Sequence, residues 1–283
     1  MTGQMIFCPW QFSFGQTHAD FTVIVAVDKV DETSYKKKQD PLVALTEMQD
    51  VGIRRLDHIA SKSRHKTTVL YNENATIENI LNTLRNVGKS AGKDQTVFLY
   101  FLGYGDHIQD KNKDEGFRNG KRPDQAFVAY DGMLIDDSLY VVFNKYYQEE
   151  LIVMMTDLRH TDSLSVKEHY FLDFETWAKE MDAFKQTLNT QPCEMRMDSY
   201  NLANEKFNLA YFGLVEGPSG TMSLSSLLSH EFKMAYIKGR KRSITCRNLA
   251  CILREAISPS GPLIVYYEIG NDVSLFTNKT IFN

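Results

Sequence analysis

Apolar and polar positions along the chain alternate between two periods. Phe21-Thr-Val-Ile-Val-Ala-Val27 is a continuous run rich in β-branched residues, the pattern of a strand covered on both faces. From Leu42 the apolar residues fall at Leu45, Met48, Ile53, Leu56 and Ile59, a near-helical spacing that predicts a helix up to Ser61. Thr67 to Tyr71 reads as a short second strand. Thr76 stands where it can cap a helix whose Ile77, Ile80, Leu81, Leu84 and Val87 share one face; Asn79 in the third helical position leaves the capping box incomplete. Gln95 to Phe101 is a third buried strand, ending in Leu102-Gly-Tyr-Gly105. A polar loop over Asp106–Pro123 follows, then Ala126–Tyr130 and Met133–Ile135 joined by Asp131-Gly132, a hairpin pattern. Asp136 begins another helix, and Glu150 to Thr156 is a fourth buried strand. Phe207–Leu214 and Leu263–Glu268 complete the strands, with helices over Ser223–Ile237 and Thr245–Ile257 between them.

Strands alternating with helices predict an α/β fold: a mostly parallel six-stranded sheet with helices on both faces. No internal repeat or Pro/Ser-rich linker interrupts the pattern, so one domain over 1–283 is expected. Residues 1–19 read as an N-terminal extension and 163–205 as an irregular excursion.

Composition narrows the function classes. Lys plus Arg is 32 against 36 Asp plus Glu, a net charge of −4, which argues against a protein that coats nucleic acid or an anionic membrane. No apolar run approaches the roughly 18 residues needed to span a bilayer. The aromatic-rich start, with Phe7, Trp10, Phe12 and Phe14, lacks the basic residues and small-residue cleavage site of a signal peptide, so a cytoplasmic protein is expected. Four cysteines, Cys8, Cys193, Cys246 and Cys251, are too sparse for a disulfide framework, and no Cys-x-x-Cys pair marks a structural zinc site. Lys36-Lys-Lys38 and Lys238-Gly-Arg-Lys-Arg242 read as solvated loops. There is no P-loop, no Gly-x-Gly-x-x-Gly and no Gly-x-Ser-x-Gly, so nucleotide-binding and serine hydrolase chemistry lack their motifs.

In such folds ligands meet the carboxyl ends of the strands. There the chain carries Phe101-Leu-Gly-Tyr-Gly105, Asp114-Glu115, Pro123-Asp-Gln-Ala126, Tyr130-Asp-Gly132, Leu134-Ile-Asp-Asp-Ser138 and Met155-Thr-Asp-Leu-Arg-His-Thr161. Upstream lie Leu45 to Asp50 and Asn74-Ala-Thr-Ile-Glu-Asn-Ile80. In order and spacing this series resembles the metacaspases and other caspase-like cysteine peptidases, from about Asp20 to Thr161. The resemblance implies a three-layer caspase-like fold. It also implies that Tyr104 stands where the family has its general-base His, and Arg159 where it has its nucleophilic Cys.

Neither substitute can do its predecessor's work. A thiol–imidazole pair operates because His lowers the cost of the thiolate and then protonates the leaving amine. Tyr titrates near ~10 and Arg above ~12. The chain therefore reads as a pseudopeptidase that acts by binding: regulating an active caspase-like relative, capturing a basic peptide segment, or scaffolding an assembly. The rivals are an active peptidase with relocated residues, for which Cys193 is the candidate nucleophile, and a purely structural module. Two acidic positions survive from the basic-residue pocket that the resemblance implies, Asp50 and Asp157. Carboxylates suit a guanidinium because they accept paired, charge-assisted hydrogen bonds. Arg159 either pairs with Asp157, Asp50 or the acidic loop and so fills that pocket itself, or points to solvent and leaves the pocket open to a basic segment. Asp136 and Asp137 match where the family binds calcium; oxygen ligands suit that ion, but an N-cap pair favoured by the helix dipole explains them as well. No other cofactor is expected.

Overall fold

The computed structural model describes residues 20–31, 33–34, 53–56, 58, 61, 65–108, 124–160, 206–215, 232–234, 244–256, 263–270, 272–279 and 281. Its centre is a single sheet. β1 (Phe21–Ala26), β2 (Lys66–Tyr71), β3 (Thr96–Ile108), β6 (Leu151–His160), β7 (Asn208–Val215) and β8 (Leu263–Ile269) lie in the order β2-β1-β3-β6-β7-β8. The first five are parallel to their neighbours and β8 runs antiparallel to β7. Two short strands, β4 (Asp124–Val128) and β5 (Met133–Ile135), form a hairpin that pairs with the far end of β3.

Burial follows from position in that order. Every residue of β1 is buried, as a strand covered on both faces requires. β2 is an edge strand: Lys66 at its start and Val69 are exposed, Leu70 is buried, and Thr67, Thr68 and Tyr71 are half-buried. One face of the sheet carries Ile24, Ala26, Tyr100, Leu102, Val153, Met155 and Phe212. It packs on Leu249, Ala250 and Leu253 of α3 (Cys246–Ala256) and on Phe276 of α4 (Val273–Asn278). The other face carries Val23, Val25, Leu99, Phe101, Ile152 and Met154. It meets Ile80, Leu84 and Val87 of α1 (Ile77–Ser90) and Leu139, Val142 and Phe143 of α2 (Asp136–Tyr146). Helices therefore cover both faces of a mostly parallel sheet. The fold is three-layered α/β.

Local chemistry sets the element ends. The Thr76 side chain accepts a hydrogen bond from the Asn79 backbone N–H at 3.2 Å, and the Asn79 amide turns back to the Asn74 carbonyl. The Asp131 carboxyl accepts from the Ile77 N–H at 2.8 Å and ties the hairpin turn to the start of α1. Near the end of α1, the ring of Tyr147 lies against Gly88, where an added Cβ would come within 2.7 Å of it, and the Tyr147 hydroxyl donates to the Leu84 carbonyl. That glycine is a packing requirement.

Two strands exceed their expected length. The sequence ends the third and fourth strands near Phe101 and Thr156, whereas β3 runs to Ile108 and β6 to His160, paired row for row from Thr96↔Leu151 to Gly105↔His160. Pairing continues because β4 takes over the other side of β3 at Gly105↔Phe127. Expectations for 1–19, Lys36–Lys38, Asp50, most of Asp106–Pro123, 163–205 and Lys238–Arg242 lie outside the described residues.

Candidate functional site

The carboxyl ends of β1, β2, β3 and β6 share one edge of the sheet, where an α/β fold presents its ligand-binding crevice. Four residues of consequence meet there. Tyr104 on β3 and Arg159 on β6 are register partners on adjacent parallel strands. Two residues inward along both strands, Leu102 pairs with Asp157. Asp28 follows the end of β1 after Val27.

The backbone at this edge is tightly held. Gly103 has a φ of +152°, and a Cβ there would come within 2.7 Å of the Val27 carbonyl oxygen. Both facts call for glycine. Val27 N–H donates to the Leu102 carbonyl at 3.0 Å, so β1 and β3 remain bonded up to that point. Tyr104, the next residue, is buried and packs with Val128 and Val30 in a small cluster apart from the two main core layers. Its ring fills space under the β4 hairpin. A phenol so placed serves packing, and its type gives no general base at neutral pH. The side chains of Arg159 and His160 lie outside the described residues, as does that of His107, whose backbone pairs with Gln125.

Asp157 sits within β6, 1% exposed, and its carboxyl accepts a hydrogen bond at 3.0 Å from the hydroxyl of Tyr100 on β3. An internal donor of this kind is what a buried carboxyl requires. Asp136 and Asp137 are also shifted from expectation. The N-cap of α2 is Ile135, which makes no side-chain cap, and both aspartates lie in the first helical turn. There they still face the positive end of the helix dipole. Among the described residues, no three His, Cys, Asp or Glu side chains gather as a metal site.

The residue that sequence reasoning missed is Asp28. It is 4% exposed, and its Oδ2 accepts from the Tyr71 hydroxyl at 2.7 Å. Its Oδ1 is buried with no hydrogen-bond partner. The Asn72 side chain accepts from the backbone N–H groups of both Asp28 and Lys29, at 3.0 and 3.2 Å, and Asn72 itself adopts a left-handed φ of 45°. Asp106, also buried, lies opposite Ala126 farther out on β3. The edge is thus lined by carboxyls. The available signal for Asp28 was an acid placed directly after the mostly apolar run Phe21–Val27, at the end where such folds bind ligands.

Thiol chemistry finds little support. Among the described residues Cys246 is the free cysteine. It is buried in the α3 core layer, where burial first and the nearby Glu268 second push its thiol well above the ordinary range. Glu268 is level with Ala210 and Val153, four residues short of Asp157 along β6, or about 13 Å. Cys251 is disulfide-bonded, which the sparse cysteine count did not anticipate. Cys193 and Cys8 lie outside the described residues. No described helix is long and apolar enough to cross a membrane.

No family model matches the chain, and no curated protein matches it. Among solved structures it is similar to the crystal structure of protein GSU0716 from Geobacter sulfurreducens. The two share 15% identity and a TM-score of 0.61, over 93% of this chain and 98% of that one. At that identity the likeness carries the α/β fold and nothing of chemistry.

Proposed function

We propose that this protein is a caspase-like, metacaspase-related pseudopeptidase that works by binding a protein or a basic peptide segment rather than by proteolysis. One observation carries the reading. The two positions that the resemblance assigns to base and nucleophile, Tyr104 and Arg159, are neighbours in register at the carboxyl edge of adjacent parallel strands. A dyad needs that juxtaposition. These two side chains can supply neither a thiolate nor an imidazole. The buried carboxyls of Asp28 and Asp157 on the same edge favour a cationic partner, and Asp50 is the third acid in this reading. A caspase-like relative presenting an Arg- or Lys-containing segment fits that chemistry. Calcium at Asp136 and Asp137 belongs to the reading only as a weak, partial site.

The competing reading, a peptidase with relocated residues, needs a nucleophile. Cys246 is unsuited to that role by its burial and raised pKa, and Cys251 by its disulfide; of the remaining two cysteines, Cys8 and Cys193, the candidate is Cys193. Incubation with Arg- and Lys-peptide substrates, with and without millimolar calcium, tests the proposal alongside titration with an uncleaved Arg-peptide. Binding without turnover is the expected result. Turnover that disappears in Cys193→Ala overturns it.

We further place the protein in the cytoplasm on its composition. The disulfide at Cys251 speaks for an oxidising compartment instead. Counting reactive thiols in denatured protein taken directly from cells under acid quench decides between them.

A further inference from the structure

We infer that Asp28 is a guanidinium-accepting subsite, with its Oδ1 taking an N–H from the side chain of the bound basic segment; this rests on the reading of the carboxyl edge as a binding face for such segments. The carboxyl is held as if for a third party. Tyr71, at the end of β2, satisfies Oδ2 through a 2.7 Å hydrogen bond and thereby sets the plane of the group. Asn72 fixes the backbone on either side of it by accepting from Asp28 and Lys29. Asn72 does so from a left-handed backbone at φ 45°, a conformation that non-glycine residues keep only where their surroundings impose it. Against this fixed frame, Oδ1 is buried and has no donor. Buried acceptors are nearly always satisfied, and leaving one unmet is costly.

The chemistry of the occupant follows from what is missing. The subsite offers a carboxyl oxygen and lacks a donor, so it selects an N–H-bearing cation over an anion. At 4% exposure it requires the entering group to shed water. Guanidinium is more weakly hydrated than ammonium and can keep a planar face toward a neighbouring group while one N–H reaches Oδ1. Position agrees with this. Ala26 of β1 is level with Leu102 and Asp157, so Asp28 stands about one pleat farther out, near the row that holds Tyr104 and Arg159. Asp28 and Asp157 are then separated by two inter-strand spacings and two residues, about 12 Å. They are separate contacts along a bound segment, not two arms of one clamp.

The test uses the full chain and three probes: methylguanidinium, methylammonium and an uncleaved Arg-containing peptide. Backbone amide chemical shifts locate binding, and the variants are Asp28→Asn and Asp157→Asn. Asp28→Asn keeps an acceptor for Tyr71 while removing the charge. Methylguanidinium is expected to shift the amides of Asp28, Lys29 and Asn72 in the wild type, more than methylammonium does. Asp28→Asn should weaken both methylguanidinium and the peptide by about ten- to a hundredfold, the loss of one charge-assisted hydrogen bond. Peptide binding that Asp28→Asn leaves unchanged overturns the Asp28 subsite while the binding reading stands. Methylguanidinium binding at Asp28 without peptide binding keeps the subsite and removes the binding reading. Absence of any cation-dependent shift at these amides means that Oδ1 holds only water, and ends the inference. The wild-type shifts alone give this answer if Asp28→Asn does not fold.

Discussion

The Tyr100 hydroxyl and the Asp157 carboxyl meet at 3.0 Å between adjacent strands, both side chains buried on the face of the sheet that packs against α3. A donor on one strand is thus matched to an acid that the next strand would otherwise bury without this partner. Tyr100→Phe removes the donor and keeps the ring, so its cost is that of a buried acceptor losing a partner, about 1–3 kcal/mol. Pairing Tyr100→Phe with Asp157→Leu removes both polar groups and should cost less than the sum of the single changes. Urea unfolding of the four proteins in the cycle measures the coupling. Additive costs would mean that the hydroxyl contributes nothing to holding Asp157.

Calcium binding at the start of α2 should be weak. Asp136 and Asp137 occupy the first helical turn, and among the described residues no third acid, His or Cys joins them in a metal cluster. Affinity for this ion depends on the number of charged oxygen ligands and on the rigidity of their frame. Calorimetry is expected to show no sub-micromolar site, and Asp137→Asn should leave the titration almost unchanged.

Much of the framework was legible because burial on both faces leaves an unbroken apolar run, as in β1, and one-sided burial leaves a helical stripe, as in α1. The site was less so. Gly103, Asp106 and His107 look like loop residues, yet β3 carries them in an extended strand because the β4 hairpin supplies new backbone partners. The bond that holds Asp157 is hidden as well: nothing local announces the Tyr100 hydroxyl, 57 residues away. The register pairing of Tyr104 with Arg159 has no local signal in the sequence. Asp28 depends on Tyr71 and Asn72, 43 and 44 residues on, a contact without periodicity.

Arg247 and Glu268 form the tightest ion pair among the described residues. Nε and Nη2 donate to the two carboxyl oxygens at 2.8 and 2.9 Å, and the Tyr266 hydroxyl adds a third bond at 2.7 Å. The hydrogen bond to Glu268 is the main reason the Arg247 pKa is raised, and burial is the main reason that of Tyr266 is. The pair ties α3 to β8. Arg247→Ala leaves a buried carboxyl with one donor fewer on each oxygen and should cost about 3 kcal/mol. Arg247→Lys retains charge but not the two-pronged geometry, so it should recover only part of that loss. Thermal unfolding of both variants gives the comparison; equal stability of Lys and Arg at this position would show that charge alone matters.

At the opposite edge of the sheet, His65 should make stability depend on pH. Its ring stacks on Phe98 with centroids 5.3 Å apart, Nδ1 lies 2.8 Å from Thr22 Oγ1, and Nε2 is 3.7 Å from Asp20 Oδ2. Burial lowers its pKa, and the Asp20 carboxyl opposes that shift without reversing it. The folded protein therefore binds a proton here less readily than the unfolded chain, whose His titrates near ~6.5. The stabilising contribution is complete above that value. It is lost as pH falls from about 7 toward the lower folded pKa, at up to about 1.4 kcal/mol per pH unit for the one proton involved. Urea unfolding of the wild type and of His65→Gln across this range isolates the effect, since other groups contribute equally to both. The wild type's advantage over His65→Gln is expected to shrink as the solution is acidified. If it grows instead, the ion pair with Asp20 outweighs burial, and the charged imidazole is the form the fold prefers.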